Sequence, residues 1–204
     1  IRFLVDASGA LTGVEGADGA FTLEIPEQGE GITVTGIANG AFSGSGIVSV
    51  HIPSTVRYVG TAFKNCKALS SVVFEEGVTT IYESAFENCT ELKEIAFPDS
   101  LLQIRSDAFC GSGLTKLSLN KVREVQAYAF KDCASLALLD LGSVRTLGLQ
   151  AFENCVSLCS VSVPSTLQSS DMYIFAGCTR LENISLPSNG VQIHGKAFYG
   201  TAYA

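Results

Sequence analysis

Phenylalanine returns at Phe42, Phe63, Phe86, Phe109, Phe130, Phe152, Phe175 and Phe198, at intervals of 21 to 23 residues. A period of this size constrains the fold more than any local propensity, because units of about 20 to 50 residues that repeat in phase stack into solenoids or arrays. The residues around each Phe repeat as well. Ala precedes seven of the eight, with Ile174 as the exception. Six residues on come Leu69, Leu92, Leu136, Leu158 and Leu181. In "FSGSGI" and "FCGSGL" the step is five, to Ile47 and Leu114. Glycine tolerates the tighter turn that a one-residue deletion requires, so these stretches are shortened coils rather than phosphate loops.

Beyond the Leu, each full coil carries an apolar-x-apolar triplet: "VHI" at 50, "VVF" at 72, "IAF" at 95, "LSL" at 117, "LDL" at 139, "VSV" at 161 and "ISL" at 184. Strict alternation predicts a short half-buried strand. Pro53, Pro98, Pro164 and Pro187 follow four of the triplets and end the strand, since proline lacks the backbone donor. A second apolar pair follows, such as Val78 and Ile81 or Leu101 and Ile104, and then a "SAFENC" segment, expected to form a short helical or 3-10 turn. Some 22 residues cannot bury their own apolar edge and must stack on neighbours. The expected fold is therefore an α/β solenoid of about eight coils, with a parallel sheet on one face. It would cover residues 36–204, and residues 1–35, with "RFLV", "FTLEI" and "ITVT", are expected to form an irregular β cap. Phe63, Phe86, Phe109, Phe130, Phe152 and Phe175 would form one internal column. The coil at Phe198 is incomplete, and its apolar edge would suit end-to-end pairing with a second copy.

Charge narrows the function. With 13 basic and 20 acidic residues the net charge is −7, and no run of Lys or Arg interrupts it. Nucleic-acid binders carry a basic patch or stripe, so a nucleic-acid partner is not expected. No stretch approaches about 18 apolar residues, so this segment is not expected to insert into a membrane. A first residue other than Met points to a trimmed chain whose leader has been removed.

The phased pattern "AFxxCxxLxxIxFPxxLxxI" over residues 85–104 resembles the BspA-like leucine-rich repeats, and the likeness extends over residues 36–204. The preceding "GADGAFTLEIPE" is similar to the segment that leads into such arrays. The resemblance implies a secreted or surface-anchored, extracytoplasmic protein, of a family in which some members act as adhesins.

Seven cysteines are the next candidates for chemistry. Cys66, Cys89, Cys133, Cys155 and Cys178 fall in one column, with Ser112 at the equivalent place in the shortened coil. Zinc requires ligands that converge tetrahedrally, and a straight ladder does not converge. Side chains stacked in register lie alongside each other, which disfavours disulfides. The leading expectation is a ladder of packed thiols, with partial disulfides or a metal as lesser alternatives. No cofactor is expected.

The outward residues of the triplets form two further columns. One is His51, Val73, Ala96, Ser118, Asp140, Ser162 and Ser185; beside it run Ser49, Ser71, Glu94, Lys116, Leu138, Ser160 and Asn183. His, Asp and Ser recur, but His51 and Asp140 stand four coils apart, about 19 Å, beyond the reach of a catalytic triad. His51 is expected to be solvated and the chain not to be an enzyme. The polar face instead suits a protein ligand, with Glu94, Lys116, Ser118, Asp140, Ser162, Asn183 and Ser185 as candidate contacts. A passive spacer and a binder of an extended polysaccharide are the alternatives.

Overall fold

The computed structural model describes residues 2–17, 19–188, 190–191 and 193–203. The eight-coil stack is a β-solenoid, and no helix occurs among the described residues. The expected helical turn is thus corrected, and with it the α/β class. Each "SAFENC" type segment is a run of tight turns closed by bonds from residue i+3 to i, such as Glu87 N–H to Ser84 O (3.2 Å) and Cys89 N–H to Phe86 O (3.3 Å). The reason lies in backbone conformation. The residue two places after every Phe of the column has positive φ: Gly44, Asn65, Asn88, Gly111, Asp132, Asn154, Gly177 and Gly200. Ser84, Asp107, Tyr128, Gln150 and Tyr173, two places before, do too. Left-handed residues four apart cannot belong to a right-handed helix. The backbone groups they turn outward bond the next coil, as Asn88 N–H does to Cys110 O and Asp132 N–H to Glu153 O, both at 2.8 Å.

Sheets line two flanks of the solenoid rather than one. The continuous sheet is built by the second apolar pair. It opens with Arg2–Val5 antiparallel to Ala10–Glu15 and then runs in parallel through Gly36–Ile37, Tyr58–Val59, Thr80–Ile81, Gln103–Ile104, Glu124–Val125, Thr146–Leu147 and Ser169–Ser170. After a shift between Leu4 and Val5 in the antiparallel pair, register is kept through every parallel rung, even at Ser170, which replaces the usual apolar residue yet still pairs with Leu147.

The triplet flank is broken into three pieces. Phe21–Glu24, Ile47–Ile52 and Ser71–Phe74 form one; Lys116–Ser118 with Leu138–Asp140, and Ser160–Ser162 with Asn183–Ser185, form the others. The strand expected at residues 95–97 is absent. That coil starts in register, with Thr115 N–H bonded to Lys93 O at 2.9 Å. It then leaves the ladder: the Phe97 carbonyl accepts the Asn120 amide at 3.2 Å, and the Phe97 ring lies edge-on to Phe109 at 5.6 Å. The next coil is the shortened one, where a Cβ on Gly113 would collide with the Thr90 carbonyl. Gly46 holds the equivalent place in the other shortened coil, against the Gly19 carbonyl.

Between the flanks lies one core. Its axis is the Phe column, in which consecutive rings from Phe42 to Phe198 stack at 5.1–5.6 Å with planes within 3–14° of parallel. This is the offset stacking that aromatic quadrupoles favour. Phe63, Phe86, Phe109, Phe130 and Phe152 are fully buried, and Phe175 nearly so.

Candidate interaction face

The triplet flank carries the seven candidate contact residues, and the structure divides them between two shallow clefts. Lys116, Ser118 and Asp140 line a cleft of about 460 Å³ with Ile95, Ala96, Phe97, Leu138 and Leu139. Ser162, Asn183 and Ser185 line another of about 450 Å³ together with Tyr203. Glu94 is brought to the first group only through Lys116, whose Nζ lies 2.9 Å from its carboxylate. Both partners are exposed, so the pair adds little stability.

Several of the polar groups are already engaged. The Ser118 hydroxyl lies 2.9 Å from Asp140 Oδ2 and 2.9 Å from Asn120 Oδ1, and donates to one of them at a time. The other Asp140 oxygen accepts the Gly142 N–H at 2.9 Å. Asp140 therefore fixes the turn after its strand as much as it faces solvent. Leu138 does not: it is 67% exposed, directly across the ladder from Lys116. The alternation that places Leu138 outward was visible in the sequence, but an apolar residue in a polar column drew no attention there.

His51 is not simply solvated. Its Nδ1 lies 3.2 Å from Glu24 and its Nε2 3.2 Å from Glu75, carboxylates carried by the coils on either side. Glu24 was missed because Phe21–Glu24 lies outside the Phe-phased region, yet the strand pairs in parallel with Ile47–Ile52 and, after a shift at Phe21/Thr22, sets Glu24 opposite His51.

All seven cysteines are free. Cys66, Cys89, Cys133, Cys155 and Cys178 are buried, and each thiol donates to the carbonyl of the Phe one coil earlier, at 3.0–3.4 Å. That same Phe carbonyl accepts the N–H three residues on in its own coil. The thiols thus fill space and satisfy a buried acceptor in the same place. Burial pushes Cys133 up to about 12 and moves Cys89 in the same direction. Burial, then the Asp107 and Asp132 charges, pushes Cys110 up to about 11. Among the described residues, no group of His, Cys, Asp or Glu side chains converges to hold a metal ion.

A family profile described as BspA type leucine rich repeat region matches in six copies, over residues 22–137 and 103–203. The chain belongs to this family. BspA-type repeats are typical of bacterial surface proteins, and leucine-rich-repeat proteins are generally non-enzymatic binding scaffolds. Two solved structures share the architecture of this BspA-type chain. A leucine-rich repeat protein from Bacteroides ovatus is 27% identical with a TM-score of 0.80, over 98% of this chain and 55% of that one. The leucine-rich repeat protein of T. pallidum is 31% identical with a TM-score of 0.78, over 100% of this chain and 95% of that one. The chain therefore spans little more than half the length of the B. ovatus protein. A comparison with curated proteins finds no match.

Proposed function

We propose that this BspA-type solenoid is a non-enzymatic recognition module of a secreted or cell-surface protein, binding a host or neighbouring-cell protein through its triplet flank. One observation carries the reading: Leu138 stands 67% exposed at the rim of a cleft whose lining is mostly apolar, beside the Glu94–Lys116 ion pair and the Ser118–Asp140 hydrogen bond. An apolar centre ringed by polar groups is the arrangement of a protein–protein interface. Family membership supports the surface location.

The test uses the double variant Leu138→Arg/Ser162→Arg, both positions being exposed. Purified extracellular-matrix proteins are passed over the immobilised chain by surface plasmon resonance. The parent chain is expected to bind at least one of them, and the variant at least about tenfold more weakly, with an unchanged melting curve. Equal binding by a folded variant removes this face from consideration, and no binding by the parent chain favours the spacer.

A further inference from the structure

The fold gathers cations that the sequence keeps apart. The residue just before each strand of the continuous sheet belongs to one column: Arg57, Thr79, Leu102, Arg123, Arg145 and Gln168. Each bonds through its N–H to the carbonyl of the one before, at 2.8–3.0 Å. Arg123 and Arg145 are therefore neighbours on adjacent coils. Two residues earlier, Lys121, Ser143 and Thr166 form a parallel column, and the residues between, Val122, Val144 and Leu167, are buried. Both outer columns contribute side chains to one pocket. The result is an open pocket of about 430 Å³ lined by Lys121, Arg123, Arg145, Ser143 and Thr166, with Asp99 and Leu102 on its edge.

Several other bases are engaged: Lys64 and Lys131 are ion-paired with Glu87 and Glu153, Lys116 with Glu94, and the Arg57 guanidinium donates to the Ser54 and Gly77 carbonyls. Among the described residues, no hydrogen bond or ion pair engages the side chains of Lys121, Arg123 or Arg145. Three like charges around one pocket, with Asp99 as its single carboxylate, form a local reversal of sign in a chain of net charge −7.

From this geometry we infer an anion site for a single phosphate or sulfate monoester. Rungs of a parallel ladder lie about 4.8 Å apart. Arginines carried on adjacent rungs can bring two guanidinium groups to one tetrahedral oxyanion, each giving N–H donors to a different oxygen. Lys121 supplies a third donor for the third terminal oxygen, and the Ser143 hydroxyl is a further donor at the margin. A carboxylate has two oxygens and one charge and leaves this donor set unfilled. A long polyanion is a poorer fit, because the cations end within two coils and Asp99 stands at the edge.

Calorimetric titration of the full chain with inorganic phosphate, inorganic sulfate and acetate tests the site. Phosphate and sulfate are expected to bind in the millimolar range and acetate at least about tenfold more weakly. Arg123→Gln/Arg145→Gln should weaken phosphate and sulfate about tenfold or more. Lys67→Gln/Arg180→Gln, which removes two exposed cations elsewhere, should change nothing. Asp99→Asn should tighten binding a few-fold by removing the one carboxylate. All five side chains are exposed, and matching melting curves confirm that each variant folds. A monosulfated hexose that binds more tightly than free sulfate assigns the ester as the natural form; equal binding assigns the free ion, and both uphold the site. The inference is overturned if acetate matches phosphate, if the two double variants lose equally, or if no binding appears below about 50 mM.

Discussion

The two flanks of the solenoid are built from the same repeat, yet one runs unbroken and the other breaks. On the continuous flank the half-buried outward residues bind each other. Gln103 and Gln126 both donate to Glu124, at 3.1 and 2.7 Å, and Tyr58 meets Tyr82 edge-on at 5.7 Å. On the triplet flank the ladder stops at residues 93–97 and again between Leu138–Asp140 and Ser160–Ser162. There the outward groups include exposed Leu138 and Val73. Regular rungs bring side chains into register and consume them in contacts along the stack. Beside the break at residues 93–97, side chains are released toward solvent, and the cleft lined by Ile95, Phe97 and Leu138 spans coils that no longer align. The flank that contributes least to the ladder is therefore the one with most to offer a partner.

The sharpest way to break this contrast is to remove the column that both flanks share. Phe109 stacks on Phe86 at 5.1 Å and on Phe130 at 5.2 Å, and it also receives the edge of Phe97. Phe109→Ala is expected to cost about 3–5 kcal/mol, measured by chemical denaturation. Hydrogen exchange should show the loss unevenly, with residues 93–97 losing protection before Gln103–Ile104 and Glu124–Val125. Equal loss on both flanks would mean that the broken ladder is no weaker than the intact one.

The stack itself was legible because packing repeats: an in-phase Phe, Ala, Leu and Cys can satisfy only one geometry, and the columns could be counted from the sequence. The turns were not. Asn65, Asn88, Asp132 and Asn154 tolerate left-handed conformations, and their recurrence two places after Phe was the available sign against a helix. The Lys121–Arg123–Arg145 pocket was hidden for a different reason. No run of bases occurs in the chain, and the cluster exists only once the coils that carry Arg123 and Arg145 are laid side by side. The break at residues 93–97 left no trace in the triplet "IAF", which alternates as well as its neighbours do; the bond that accompanies it, from Asn120 to the Phe97 carbonyl, comes from one coil later.

Thiol chemistry sharpens the contrast between the packed interior and the open flank. Cys159, exposed beside the triplet strand Ser160–Ser162, should be alkylated first by iodoacetamide at pH 8. A thiol raised to about 12, as Cys133 is, holds roughly a thousandfold less thiolate than one at its ordinary value near 9. The thiolate is the reacting form, so the raised value slows reaction below pH 9. Cys110, raised to about 11 and half-buried, should fall between them. Peptide mass spectrometry over time gives the order directly. Fast modification of Cys89 or Cys133 in the folded chain would show that the coils separate readily, and would remove the distinction between interior and flank.

The smallest expected effect isolates the break. Asn120 holds positive φ, donates its amide to the Phe97 carbonyl at 3.2 Å and offers its side-chain oxygen to Ser118 at 2.9 Å. Asn120→Ala removes both bonds and leaves the Phe97 carbonyl without that donor. Bonds of this kind are worth about 1 kcal/mol net, and more where a buried acceptor is stranded, so a loss of about 1–3 kcal/mol is expected from denaturation curves. Asn120→Asp separates the contributions. It keeps an acceptor for Ser118 and loses the donor to Phe97, so a cost close to that of Ala assigns the effect to the Phe97 carbonyl. If either variant instead drew residues 93–97 into pairing with Lys116–Ser118, their amides would gain protection. The break would then be a state that one side chain imposes on a ladder otherwise able to close.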